Sequence, residues 1–183
     1  MKRTAIIYGL IAGAVVSAFM STTMIATAND TLHCSSAVSM VIGYLGMLIA
    51  FTFIFVAIKT YRDKQNNGVI SFSKAFGMGL LISLIASTMY VITWAIVYKN
   101  FLPDFMDKYS ATMIEQAKAS LSGAALQAKI HELNKAKEMY ATPVGFTLFT
   151  YAEILPVGIL VSLVAALVLK RKKRKTALAN TFA

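Results

Sequence analysis

The stretch "AFGMGLLISLIASTMYVITWAIVY", residues 75–98, contains no charged side chain. The hydrocarbon core of a bilayer is about 30 Å thick and an α-helix rises about 1.5 Å per residue, so about 20 apolar residues cross it. A surface helix of this length in a soluble protein would carry charged residues on one face. Residues 75–98 are therefore predicted to form a membrane-spanning helix.

Three more stretches of the chain share these properties. They occupy residues 4–28, 38–58 and 144–169, and of the four stretches only the last contains a charge, Glu153. Over the whole chain 57% of the residues are hydrophobic and 14% are charged, whereas soluble domains average about 25% charged residues. Lipid offers the backbone no hydrogen-bond partners, and the alternation typical of barrel strands is missing, so the stretches must be helices. The sequence predicts an all-α integral membrane four-helix bundle.

The basic residues fall in three regions that share one side if all four stretches cross the membrane. These regions are residues 2–3, 59–74 and 170–175. The other side receives residues 29–37, which contain no lysine or arginine, and residues 99–143, where six lysines are nearly balanced by five acids. Because basic segments next to spans stay on the cytoplasmic side, both ends of the chain are predicted to be cytoplasmic.

The formal net charge of +10 raises the question of a nucleic-acid partner, since basic domains often bind one. Here the excess lies within one or two helical turns of the spans, where membrane topology requires it, so no nucleic acid is predicted as a partner. The basic tail is a candidate for contact with anionic lipid headgroups. It consists of Lys170, Arg171, Lys172, Lys173, Arg174 and Lys175. Residues 1–175 are predicted to form a single membrane domain, and residues 176–183 a flexible cytoplasmic tail.

Residues 1–28 allow a second interpretation, as a cleaved signal peptide. They have a basic start, an apolar stretch and the sequence Ala26-Thr27-Ala28, the small-x-small pattern that signal peptidase cuts. Cleavage would leave three spans and a new end outside the cell. The uninterrupted apolar run at residues 5–20 is longer than most signal-peptide cores, so we expect the segment to be retained as the first span.

Small residues recur at every fourth position in three of the predicted spans. In lipid, such stripes let helices approach closely and pack by van der Waals contact. The candidate packing residues are Gly9, Gly13 and Ser17 in the first span, Gly79, Ser83 and Ser87 in the third, and Gly158 and Ser162 in the fourth. They predict the helix faces that meet inside the bundle.

The long segment between the third and fourth spans, about residues 103–140, has a helical pattern of its own. Phe105, Tyr109 and Met113 recur at four-residue spacing, which places one apolar face along a helix. Residues 122–123, Ser-Gly, interrupt this face, and a weaker one follows. We predict an amphipathic, extracytoplasmic pair of helices lying over the outer mouth of the bundle.

Several short motifs, taken in order, resemble a known family. They are "GVISFSKAFGMG" at residues 68–79, the acidic and basic helices around Gly123, "ExxPVG" from Glu153, and "LVAALVLKRK" at residues 163–172. In their order and spacing they resemble a family of small bacterial membrane proteins catalogued only as a domain of unknown function, number 4199, over roughly residues 4–173. The resemblance implies four retained spans in the bacterial inner membrane. It brings no activity, substrate or catalytic residue.

The depth of Glu153 in the membrane depends on where its span begins. Counting about 20 residues outward from Leu169 places the carboxyl group about 5 Å below the outer edge. If residues 144–149 are also embedded, the helix is about 39 Å long and tilted, and Glu153 lies closer to the middle, where an ionised acid needs a partner.

A proline three residues after Glu153 adds a second polar group to this span. Pro156 has no N–H to donate to the carbonyl of the preceding turn. Glu153, Pro156, Tyr151 and Thr150 therefore form a candidate intramembrane polar site. We expect Glu153 to hydrogen-bond within the bundle, near its outer third.

The chain lacks a nucleophile elbow, a phosphate loop and a zinc signature, and Cys34 is its only cysteine. We expect no catalytic residue, no cofactor and no metal. The sequence favours a non-catalytic accessory or interaction protein of the inner membrane, with a membrane-protein partner or a second copy of itself. The alternative is a small transporter or channel-like protein that uses Glu153 near Pro156 as a proton or cation site, although the sequence offers only this one Glu-Pro element and no visible repeat.

Overall fold

The computed structural model describes residues 1–28 and 36–171. Within these ranges the chain forms six helices and no strand, so the predicted all-α class is confirmed. The helices are α1 Lys2–Ala28, α2 Ser36–Gln65, α3 Phe72–Phe101, α4 Phe105–Ser120, α5 Gly123–Tyr140 and α6 Pro143–Leu169. The predictions for Cys34, for residues 172–175 of the basic tail and for residues 176–183 lie outside the described residues.

Four of the helices are long and apolar enough to cross a membrane. The candidate spans are Lys2–Thr27, Val41–Gln65, Phe72–Phe101 and Pro143–Leu169. Helix α2 continues past the predicted boundary at residue 58 because lysine, arginine and glutamine are good helix formers, which extend a helix beyond its apolar part. It ends before Asn67 and Gly68, whose φ angles of 51° and 74° reverse the chain.

Helices α1 and α6 each pack against both α2 and α3, and α2 and α3 also contact each other. Helices α1 and α3 run parallel, since Gly9 lies against Ile85 and Gly13, one turn further, against Met89. Helix α6 runs antiparallel to α3, since Gly79 lies against Ser162 and Ser83 against Gly158, and it therefore runs parallel to α2. Helices α1 and α6 do not pack extensively on each other within the described residues, so they lie diagonally opposite each other.

Both ends of the described chain meet at one end of this helix group, called here the basic end. The Thr4 hydroxyl and the Gln65 amide of α2 are hydrogen-bonded, at 3.2 and 3.1 Å. Ile70 and Arg171 exchange two backbone hydrogen bonds, of 3.0 and 2.9 Å. The loop between α2 and α3 is thereby fastened to the end of α6. The opposite end of the helix group, which carries α4 and α5, is called the hairpin end.

Large apolar side chains lie both inside and outside the helix group. Phe51, Ile54, Ile82 and Ile154 are completely buried among the four helices. Outward-facing aliphatic side chains include Val41, Ile49, Ile92, Ile96, Leu160 and Val168. Lipid tails are as apolar as leucine, so close packing, and not the removal of apolar surface from water, holds such helices together. This exterior suits contact with a lipid bilayer.

Helices α4 and α5 form a hairpin, and α5 also packs against the beginning of α6. Gly123 begins α5 with a φ of 58°, at the predicted interruption. Neither helix packs extensively on α1 or α2 within the described residues. The short connection, residues 141–142, ties the end of α5 directly to α6. The predicted position over the outer mouth of the bundle stays a prediction.

Candidate functional site

The four residues of the predicted polar site all lie on α6, but they point in different directions. Successive residues of a helix are turned by about 100°. Thr150 is only 2% exposed, Tyr151 is half-buried, and Glu153 and Pro156 are exposed. The structure therefore does not bring the four side chains into one internal site.

Thr150 and Tyr151 have hydrogen-bond partners of their own. The Thr150 hydroxyl donates to the carbonyl oxygen of Phe146, 2.8 Å away on the same helix. The Thr88 hydroxyl of α3 lies 2.8 Å from the carbonyl oxygen of Leu84 and 2.8 Å from the Tyr151 hydroxyl. Because Thr88 has one proton, which its own backbone accepts, Tyr151 is the donor to Thr88. This pair ties α6 to α3.

Glu153 faces outward from the helix group and makes no hydrogen bond or ion pair with any described residue. The expectation that it hydrogen-bonds within the bundle finds no support among these residues and stays a prediction. The inward line of α6 passes through Ile154, Gly158 and Ser162, which are buried. Glu153 precedes Ile154 by one residue, and that rotation turns the carboxyl group out of the core.

Pro156 lies inside α6 without ending it, since the helix is continuous over Pro143–Leu169. It cannot donate to the carbonyl oxygen of Ala152. Ala152 and Glu153 are both exposed residues on the outer side of α6.

A buried tyrosine of α3 that was not among the predicted site residues interacts electrostatically with Glu153. Tyr90 is 4% exposed and interacts electrostatically with Glu153, Tyr140 and Tyr44. A tyrosine deep within an uncharged stretch is a usable signal, because its hydroxyl needs a polar partner there. Four helices, α2, α3, α5 and α6, contribute to this group.

An aromatic cluster joins the hairpin to the four long helices. The Trp94 indole N–H donates to the Tyr140 hydroxyl over 2.6 Å. The rings of Trp94 and Phe105 meet edge to face at 5.1 Å, as do those of Tyr140 and Phe146. Burial raises the pKa of the Tyr140 hydroxyl, so it stays protonated at neutral pH. These residues form the joint between α3, α4, α5 and α6.

The predicted packing residues of α3 and α6 face each other. A Cβ at Gly79 would lie 2.7 Å from the Ser162 Cβ, and one at Gly158 would lie 2.7 Å from the Ser83 Cβ. The Ser83 and Ser162 hydroxyls are 3.1 Å apart. Each small residue thus faces the serine of the other helix.

The remaining predicted packing residues are Gly9, Gly13, Ser17 and Ser87, which are all buried. The hydroxyl groups of Ser17 and Ser87 have no hydrogen-bond partner among the described residues. A buried polar group without a partner is uncommon and is a place where a ligand or water can bind.

Residues 1–28 and 36–171 contain no candidate metal site. In this part of the chain no three His, Cys, Asp or Glu side chains come together in a way that could hold a metal ion. Of the predicted lipid-binding tail, only Lys170 and Arg171 are described, and both are exposed.

These features define an all-helical protein with four candidate membrane spans, an appended two-helix hairpin and an acidic group on the outer side of its last span. Residues 7–171 match the family described as protein of unknown function (DUF4199). The chain belongs to this family, as the resemblance in its motifs suggested. No match was found among curated proteins or among solved structures.

Proposed function

We propose that this protein is a non-catalytic accessory or interaction protein of the bacterial inner membrane. Its four long helices cross the membrane as a four-helix bundle, both ends of the chain lie in the cytoplasm, and the α4–α5 hairpin is extracytoplasmic. The positive residues at the basic end support this orientation. The uncleaved state of α1 is supported by the burial of Ala5, Ala12 and Val16 in the common core.

One observation carries the proposal: the hairpin is firmly attached at its base, yet it leaves most of its own surface uncovered. Only Ser110 and Ala117 of α4 are buried, and no residue of α5 is. The apolar positions along its seam stay half-exposed: Met113, Ile114, Leu126, Ile130 and Leu133. A third helix laid along the seam would cover them, as amphipathic helices do in apolar grooves.

The exposed ion pairs of the hairpin add little stability. Lys137 of α5 pairs with Asp107 of α4, and Lys118 with Glu115 within α4 at 2.7 Å. Exposed pairs of this kind contribute about 0–1 kcal/mol. We therefore assign partner recognition to the half-exposed apolar seam and treat the surrounding charges as its solvated rim.

The test is crosslinking in native membranes, followed by copurification and mass spectrometry. Ile130→Asp places a charge in the seam, while Ala128→Asp places the same charge on an exposed position of the same helix. We expect a membrane-protein partner that is retained by the wild type and by Ala128→Asp and lost with Ile130→Asp. A partner held equally by both variants, or none at all, would refute the proposal.

Contact with anionic lipid through Lys170, Arg171 and the four following basic residues is part of the proposal. Arg171 is fixed beside the loop between α2 and α3, where it interacts electrostatically with Asp63, as does Lys59. The described basic end thus collects positive charges from two segments of the chain. Each basic residue near an anionic surface contributes about 1 kcal/mol.

The transporter or channel-like alternative has less support from the geometry. Its candidate group, Glu153, is exposed on the outer side of α6 and not between the helices. Ion flux in liposomes that disappears with Glu153→Gln would nevertheless establish it. The hairpin variants would leave such a flux unchanged, which separates the two functions.

A further inference from the structure

Helix α6 is the least covered of the four candidate spans. In its apolar part 28% of the residues are buried, against 39% to 44% in the other three. Helices α2 and α3 cover the side of α6 that carries Gly158 and Ser162. Leu160 follows Gly158 by two residues, so it is turned by about 200° away from that side, and it is 61% exposed. Within the described residues, one side of α6 therefore has no helix packed on it.

Five exposed residues form a line along this uncovered side of α6, called here the outer line. Their spacing alternates between three and four residues, which keeps side chains on one face of a helix. The line extends over about 21 Å of helix, which is most of a hydrocarbon core of about 30 Å. It consists of Glu153, Pro156, Leu160, Leu163 and Leu167.

Glu153 is the charged residue of the outer line, and apolar surface extends past it in both directions. Val144, Leu148 and Phe149 precede it on α6 and are exposed, and about 24 Å of helix separate it from Leu169. Acids within a membrane almost always face the interior of a helix bundle or a water-filled cavity. The outward position of Glu153 therefore indicates that another helix lies against this side of α6 in the membrane.

A second copy of this chain fits the outer line. All copies have the same orientation in the membrane, so a two-fold axis along the membrane normal places two α6 helices side by side and parallel, with each residue opposite its counterpart. Leucines at this alternating spacing interlock in such a pair, and most membrane helices cross at the small angle of a coiled coil. A single polar residue within such a line fixes the register and the number of helices, which is the role that Glu153 would have.

The two Glu153 carboxyl groups can satisfy each other by sharing one proton. The protonated carboxyl group donates its O–H, and the ionised one accepts it. Residues 4–28, 38–58, 75–98 and 144–169 contain no lysine or arginine, so a second copy offers no base for an ion pair within the membrane. We propose that the protein forms a parallel dimer through the outer lines of α6, joined by a hydrogen bond between the two Glu153 carboxyl groups. This goes beyond the proposed function, because recognition of another protein by the hairpin does not require it.

Cysteine crosslinking of the full-length protein in native membranes tests the geometry of this dimer. Cys34, the only cysteine, is first replaced by serine. Leu160→Cys then places a thiol on the outer line, and Ile159→Cys places one at the neighbouring exposed position, turned by about 100°. After oxidation with copper phenanthroline we expect about tenfold more disulfide-linked dimer from Leu160→Cys, because a disulfide requires Cβ atoms about 4 Å apart.

The carboxyl hydrogen bond is tested by energy transfer between two labelled populations of the full-length protein in detergent. Glu153→Leu keeps the outer line apolar but removes the hydrogen bond, so it should raise the dissociation constant of the dimer by about threefold to tenfold. Glu153→Gln retains a side chain that both donates and accepts, and should stay close to the wild type. Glu138→Leu, at an exposed acid of the hairpin, is the control and should leave the constant unchanged.

The crosslinking arm keeps Glu153 intact, so it does not depend on the folding of the Glu153 variants. Equal yields of linked dimer from Leu160→Cys and Ile159→Cys would overturn the proposal and leave the outer line to lipid or to a span of another protein. An unchanged dissociation constant in a Glu153→Leu variant with the thermal midpoint of the wild type would refute the carboxyl hydrogen bond. Ile130→Asp, combined with Leu160→Cys, should give the same yield of dimer as Leu160→Cys alone, which separates this proposal from hairpin recognition.

Discussion

The hydroxyl oxygens of Ser83 on α3 and Ser162 on α6 lie 3.1 Å apart, in the interior of the helix group. Each hydroxyl is also close to a carbonyl of its own helix, that of Gly79 at 3.0 Å and that of Gly158 at 2.7 Å. Gly79 of α3 faces Ser162 of α6, and Gly158 of α6 faces Ser83 of α3. The two helices can approach this closely only because no side chain stands at either glycine.

Gly79→Leu should therefore push α3 and α6 apart. Its Cβ would lie 2.7 Å from the Ser162 side chain and 3.2 Å from the Ser162 backbone, and overpacking of this kind costs about 1–3 kcal/mol. Unfolding in mixed micelles of mild detergent and dodecyl sulfate measures the loss. Gly77→Leu is the matched control, since Gly77 is exposed and has no described atom nearby. An equal effect of the two variants would contradict the assignment of this face.

Gly13→Leu tests whether α1 is a permanent part of the fold. A side chain at Gly13 would meet the Met89 sulfur at 2.5 Å and the Ala86 backbone at 3.2 Å, so we expect a loss of about 1–3 kcal/mol. Ala14→Leu, on the exposed side of α1, should be nearly neutral. The intact mass of the purified wild type should include residues 1–28. If these residues were removed on maturation, Gly13→Leu would leave the mature protein unchanged.

The fold class was predictable because the length of an uncharged stretch is set by the membrane and needs no tertiary information. Helix ends were less predictable. Residues 59–65 are polar but continue α2, because a helix can extend beyond the apolar layer. The attachment of the hairpin was not predictable, since it depends on the two-residue connection to α6 and on the contact between Trp94 and Tyr140, and neither leaves a periodic pattern in the sequence.

The candidate site shows a different limit of sequence analysis. A lone acid in a span indicates a polar site, but the pattern does not tell which side of the helix the acid takes. For Glu153 that side is decided by Ile154, Gly158 and Ser162, which face α2 and α3. The electrostatic interactions of Tyr90 with Tyr44 and Glu153 depend on how α2, α3 and α6 pack together. From the sequence alone, tyrosines near the ends of spans are equally well explained as interfacial anchors.

The joint of the hairpin allows a test with two related variants. Tyr140→Phe leaves the indole N–H of the buried Trp94 without its acceptor, which costs about 1–3 kcal/mol. Trp94→Phe removes the donor instead and leaves a hydroxyl that can rotate towards Thr150, its neighbour; we expect this variant to lose less from the hydrogen bond but more from ring packing.

Hydrogen exchange locates the loss of stability in the hairpin. Both variants should speed exchange of the amides at the end of α5, while the amides of α1 stay protected. Tyr109→Phe, at an exposed hairpin tyrosine, provides the control. Unchanged exchange in α5 for Tyr140→Phe would show that the hydrogen bond does not hold the hairpin in place.

Arg62 holds the basic end together in a way that lysine cannot reproduce. Its side chain is only 16% exposed; the guanidinium group donates to both Asp63 oxygens, at 2.6 and 3.1 Å, and to the Leu169 carbonyl at 3.3 Å. A lysine ammonium lacks this planar set of donors. Arg62→Lys should therefore release the last turn of α6 and speed hydrogen exchange at Lys170 and Arg171, by about fivefold for the loss of about 1 kcal/mol.

Arg3→Lys makes the same change at an exposed arginine of α1 and should have no effect there. Exchange that is equally slow in both variants would assign the fastening of α6 to the backbone pairing with Ile70 alone.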